Sequence, residues 1–313
     1  MVLTVVGLAV RQDVEEWWSA RQACGGAVPR EVVDARKPDD ARLLPAEEKL
    51  IEETGWYRCD LRYEEPDGSR DQVLHVVATT DRDEQDEILR YTFDDNEGWI
   101  LGRQVPEGLP GILQVNDTLQ LLIDCPALPE DAEGRPRKLL VRSGIGAWSG
   151  ESAPPELVES AVSLANGASR KLGCGAEALK LPAGKVYYKP RPLSLKEAAA
   201  TPCEWTARAD LPAGARVSIS GTRTSHAVRC DLHWGDDLRY AKVKLAAFYG
   251  DWGKSLRYDD EGKRLPGTVT ARCAGEAATF KATRAASGSG VTAKQLRAWT
   301  ESFAGAELKQ RGC

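Results

Sequence analysis

The residues with most chemistry to offer are eight cysteines: Cys24, Cys59, Cys125, Cys174, Cys203, Cys230, Cys273 and Cys313. A thiolate can ligate a metal, attack an electrophile or join a second sulfur. Zinc sites usually draw two ligands from one tight turn, which brings both to the same ion. No two cysteines here form a Cys-x-x-Cys pair, and the only histidines are His75, His226 and His233. An even number of widely spaced cysteines points instead to disulfides, which persist in an oxidising compartment. No metal and no cofactor is expected.

Carboxylates offer the second chemistry. Asp94-Asp95-Asn96-Glu97-Gly98 and Tyr258-Asp259-Asp260-Glu261-Gly262 are similar acidic turns. Paired acids can serve as general acid and base, so Asp94, Asp95, Asp259 and Asp260 are the residues a hydrolase would use. The same residue types are also ordinary turn formers, and neither run has the ligand pattern of a calcium loop. Ser149 is not at a nucleophile elbow, because Ala147 stands where Gly-x-Ser-x-Gly requires glycine. His75 lies inside a strand-like run and reads as a satisfied core residue. His226 and His233, seven residues apart, would fall on opposite faces of a strand and share no metal. No catalytic residue is assigned.

The cysteines sit in a frame that the chain writes twice. Arg58-Cys59-Asp60-Leu61 returns as Arg229-Cys230-Asp231-Leu232. Each copy is followed by its acidic turn, then by Leu109-Pro110-Gly111 or Leu265-Pro266-Gly267. A strand-like run next ends at Cys125 or Cys273, and a helical segment stops at Gly173-Cys174 or Gly312-Cys313. Cys24 and Cys203 precede the two copies. Residues 56–63 alternate apolar and polar, the period of a strand. Leu157, Ala161, Leu164, Ala165, Ala168 and Leu172 fall on one helical face, and Leu296, Trp299, Phe303 and Leu308 do so in the second copy. Residues 44–51 read as a short helix, 203–208 as strand-like and 81–87 as a solvated acidic loop.

The expected fold class is α+β: two tandem similar domains, each an antiparallel sheet covered by a C-terminal helix and stapled by two disulfides. The domains span 12–182 and 194–313, with a linker at 183–193. Four cysteines permit three pairings within each domain. Packing favours neighbours in sequence, because the third cysteine ends a strand and the fourth ends the helix lying on that sheet. The favoured pairs are Cys24–Cys59, Cys125–Cys174, Cys203–Cys230 and Cys273–Cys313.

With 313 residues, 42% hydrophobic and 28% charged, the chain can build two ordinary cores. Its net charge of −5 and its scattered basic residues lack the footprint of a nucleic-acid binder. Residues 1–11 begin with an apolar run, Met1 to Val10. Ten helical residues rise about 15 Å, half of the roughly 30 Å of a bilayer core. The run reads as a truncated membrane anchor, in competition with an apolar element packed on the first domain.

The order Cys-Gly-Gly, Arg-Cys, Leu-Pro-Gly, strand-Cys and helix-Gly-Cys resembles an actinobacterial, Streptomyces-like family of secreted or membrane-anchored proteins of unassigned function. The resemblance covers both repeats, most clearly from Cys24 to Cys174, and implies no catalytic residues. The expectation is a non-catalytic extracytoplasmic binding or scaffold module of the cell envelope, secreted or anchored to the outer face of the membrane. Its expected partner class is an envelope protein or a cell-wall component. The alternatives are an envelope hydrolase using the acids above, and a structural spacer.

Overall fold

The computed structural model describes residues 18, 22–90, 103–104, 108–113, 118–144, 155–181, 191–258, 263–285 and 289–313. The apolar start of the chain, Ser149, the acidic residues Asp94, Asp95, Asp259 and Asp260, and most of the expected linker lie outside the described residues. No helix among the described residues is long and apolar enough to cross a membrane. The chain divides into two compact units, residues 1–85 with 116–188, and residues 86–115 with 189–313. Segment 86–115, which the repeat assigns to the first domain, therefore groups with the second unit.

In the first unit α1 (Arg30–Arg36) precedes strands β1 (Arg42–Leu43), β2 (Glu47–Ile51), β3 (Trp56–Glu64) and β4 (Arg70–Thr79). Helix α2 (Arg82–Arg90) follows, then a hairpin of β5 (Arg103–Gln104) and β6 (Gly111–Leu113) in the segment counted with the second unit. The first unit resumes with β7 (Thr118–Asp124), β8 (Lys138–Gly144) and α3 (Pro155–Lys171). The second continues with β9 (Leu193–Ser194), α4 (Leu195–Ala198), β10 (Arg216–Ser220), β11 (Ala227–His233) and β12 (Val243–Tyr249). It closes with β13 (Val269–Cys273), β14 (Glu276–Arg284) and α5 (Ala293–Gln310).

The printed pairings of both sheets are antiparallel. The first unit's strands run β2-β3-β4-β8-β7, with β1 also on β3. The second unit's run β10-β11-β12-β14-β13, with β9 beyond β10. Strand for strand these are the same order, and the Arg-Cys-Asp-Leu motif occupies the same strand in each. Helix α3 packs on β8, β7 and β4, and α5 packs on the corresponding β14, β13 and β12.

The cores follow from the alternation. Tyr57, Cys59 and Leu61 of β3 are buried on one face, as are Val228, Cys230 and Leu232 of β11. In the second unit the apolar faces of β10, β11, β12 and β14 meet Trp299, Phe303 and Ala304 of α5. Helix α5 starts with a capping box, in which Thr292 Oγ1 accepts from the Gln295 N–H at 3.2 Å and Gln295 Oε1 accepts from the Thr292 N–H at 2.9 Å. Both long helices end alike. Gly173 and Gly312 take φ of 64° and 76°, and the next N–H reaches back to the last turn: Cys174 to the Ser169 carbonyl at 2.9 Å, Cys313 to that of Leu308 at 2.8 Å. Glycine meets no Cβ penalty there, so the cap fixes where the following cysteine sits.

All eight cysteines are oxidised. The bridges are Cys24–Cys59, Cys125–Cys174, Cys203–Cys230 and Cys273–Cys313, with Cα–Cα distances of 5.5, 4.4, 5.9 and 5.1 Å. The α+β architecture and the pairing favoured by packing are those of the protein. Four bridges fit an oxidising, extracytoplasmic location.

Three local expectations fail. Residues 47–51 form β2 rather than a helix, paired with β3 from Glu47↔Asp60 to Ile51↔Trp56; ladder hydrogen bonds outweigh the modest helix preference of Glu-Glu-Lys-Leu. Residues 204–207 form a 3₁₀ turn rather than a strand. The acidic run is the start of α2, where Asp81 Oδ1 accepts from the N–H groups of Asp83 and Glu84 at 2.9 and 3.0 Å. Acids at that end satisfy otherwise unpaired donors and the helix dipole.

Candidate functional site

In β3, residues that alternate with Cys59 point to the sheet face opposite the bridge. On this face Asp60 is almost fully buried, at 2% exposure, and accepts three hydrogen bonds. Arg58 Nε donates to Oδ2 at 2.5 Å, Gln72 Nε2 to Oδ1 at 3.2 Å, and His75 Nδ1 lies 2.6 Å from Oδ1. Burial alone would push the Asp60 carboxyl up, but the bonds from Arg58 and His75 outweigh it and hold the carboxyl below its usual range. The ionised carboxylate fixes the proton of His75 on Nδ1 and leaves Nε2 outward. His75 is 34% exposed at its side chain. It is therefore not the core histidine that its strand-like setting suggests.

Register extends the set across the sheet. Asp60, His75, Gly144 and Thr118 stand in one cross-strand row. Two residues along, Arg58, Val77, Arg142 and Gln120 form a second. The second unit repeats both rows. Ser218, Asp231, Lys244 and Thr283 are aligned, and so are Ser220, Arg229, Ala246 and Lys281. Arg229 again binds its aspartate, Nε donating to Asp231 Oδ1 at 2.6 Å with a second N–H on Oδ2. Each sheet thus carries three basic side chains around one aspartate at equivalent positions: Arg58, His75 and Arg142 around Asp60, and Arg229, Lys244 and Lys281 around Asp231. Linear motifs show only the Arg-x-Asp part; the other members are neighbours only through pairing.

The two faces differ in what is left over. Lys244 and Lys281 are buried and engaged. Arg142 has a buried Nε with no hydrogen-bond partner, and no carboxylate pairs with it among the described residues. Burial pushes its guanidinium below the usual value. His233, next along β11 on the polar face, bonds Ser218 Oγ through Nε2 at 2.8 Å, and burial pushes its imidazole down as well. Among the described residues no group of His, Cys, Asp and Glu could hold a metal ion.

A second polar arrangement sits at the helix ends and is structural. Tyr57 donates to Glu48 Oε1 at 2.8 Å, and Lys171 pairs with Glu48 while lying 5.2 Å from the Tyr57 ring centre. Tyr249 donates to Glu307 Oε2 at 2.7 Å, and the Arg311 guanidinium lies 3.5 Å from the Tyr249 ring centre. Burial pushes the Glu307 carboxyl up. Each set ties the last turn of a long helix, or the residue just past it, to its sheet through a tyrosine, a glutamate and a cation stacked on the ring.

Asp60→Asn should lower the stability of the first unit by about 1–3 kcal/mol at neutral pH, since charged donors lose an ionised acceptor. The Asp60 carboxyl is held below its free value of 3.8, so its contribution is complete above that pH and fades as pH falls through the lower folded value. Melting curves of the two proteins should therefore differ at pH 7 and converge in acid. A gap that does not narrow would rule out the carboxylate as its source.

The fold and this face define an α+β protein of two disulfide-linked units with a repeated basic–acidic set on each sheet. No protein-family model, curated protein or solved structure matches the chain.

Proposed function

We propose that the chain is a non-catalytic binding or scaffold module that works outside the cytoplasm, at the cell envelope, either secreted or held at the outer face of the membrane. Kinship with exported actinobacterial proteins is part of the same proposal, as is a partner drawn from envelope proteins or cell-wall components. The observation that carries it is the pairing of two features in both units: bridges that need an oxidising compartment, and a repeated polar sheet face whose charges are arranged to hold rather than to transform. His75 has its orienting carboxylate, but no nucleophile is hydrogen-bonded to its outward nitrogen among the described residues, and acid–base catalysis needs that reach. The acids of the hydrolase alternative lie outside the described residues.

The test is a thermal-shift screen of the oxidised protein against cell-wall fragments, membrane lipids and divalent ions, with the stabilising compound recovered and weighed by mass spectrometry. Saturable stabilisation by an intact compound is the expected result. Recovery of a cleaved product would replace the module with a hydrolase.

A further inference from the structure

We propose that the polar face of the first sheet holds an oxyanion, a phosphate monoester or a carboxylate, between the guanidinium of Arg142 and the outward nitrogen of His75. The inference rests on the binding-module reading and names what one of its faces takes. Arg142 on β8 and His75 on β4 are diagonal neighbours, two residues out of register, so their Cβ atoms stand about 7–8 Å apart. Both side chains are long enough to converge on one group between them. Gly144, directly opposite His75, puts no side chain into that space.

The charge arrangement selects the sign of the ligand. Asp60 is already saturated by Arg58, Gln72 and His75, so it does not neutralise Arg142. A guanidinium drawn out of water with a buried, unpartnered N–H is costly unless a counter-charge reaches it. An oxyanion supplies both the charge and the acceptors, and guanidinium geometry suits a two-oxygen face. The second sheet makes the contrast: its equivalent cations, Lys244 and Lys281, already have partners. The pattern is duplicated, and only the first copy is left open.

The probes are inorganic phosphate and acetate, each added to the oxidised full chain at constant ionic strength against chloride. At a hundredfold excess over Kd, one of them should raise the melting temperature by roughly 5 °C. Arg142→Gln should abolish the rise. Because that variant could fold poorly, the His75 ring resonances of the wild-type protein are followed in the same titration, and they should move with the same Kd. A larger effect of phosphate assigns a phosphate monoester, and a larger effect of acetate assigns a carboxylate. The site is overturned if neither anion shifts the melting temperature and the His75 resonances stay still, or if a shift survives unchanged in Arg142→Gln. Silence of both anions beside stabilisation by a cell-wall fragment would remove the oxyanion site and leave the module. Binding of an anion followed by its ester's cleavage would do the reverse.

Discussion

Complete reduction of the protein should lower its melting temperature by about 15–25 °C, the largest single effect expected for the chain. Each bridge closes a loop of 27 to 49 residues. Removing that constraint from the unfolded chain costs about 3–4 kcal/mol per bridge by loop entropy. Each unit carries two bridges, and the net stability of a domain is only about 5–15 kcal/mol. At 2–4 °C per kcal/mol for units of this size, the stated drop follows. Loop length separates the longest bridge from the shortest by only about half a kcal/mol. Paired Cys→Ala variants should therefore cost nearly the same. Calorimetry with and without a phosphine reductant, with free thiols counted, is the measurement. Eight free thiols with an unchanged melting temperature would show that the bridges add nothing.

Phe303→Ala should cost the second unit about 3–5 kcal/mol, the usual range for deleting a buried phenyl ring. Phe303 is fully buried at the centre of an aromatic chain. Its ring stands 6.0 Å from Phe280 at 90° and 6.1 Å from Trp205 at 48°, and Phe280 stands 6.1 Å from Tyr249 at 89°. These edge-to-face spacings suit the ring quadrupoles. Phe303 is also the residue by which α5 grips β14, so the cavity would open under the helix that the Cys273–Cys313 bridge holds down. The bridge limits how far the helix can close the gap, which favours the upper part of the range. Phe303→Leu, which refills much of the volume, should cost distinctly less. Chemical denaturation of both variants reads the difference, and a cost below about 1 kcal/mol for alanine would place Phe303 outside the packed core.

Much of the architecture is legible in the linear text because it is written in local signals. Alternation around Cys59 and Cys230 marks two strands, and glycine followed by cysteine after an apolar helical stripe marks two helix ends. Their duplication makes the bridge pattern readable. What escapes is set by partners distant in sequence. Residues 47–51 look helical until β3 is there to pair with them. Residues 81–87 look like a loop until one sees Asp81 capping α2. The candidate site is hidden for the same reason: Asp60 and His75 are 15 residues apart, Arg142 is further still, and only the sheet's register sets them side by side. The one signal that pointed there was the Arg-x-Asp written twice.

The bridges also set how the chain responds to force. The four loops they close together hold close to half of the 313 residues. Tension applied at the two ends travels through each sulfur–sulfur link and bypasses the residues between. Drawn out straight, the oxidised chain therefore extends only about half as far as the same chain with its thiols free, an asset for any protein tethered where a wall swells and shears.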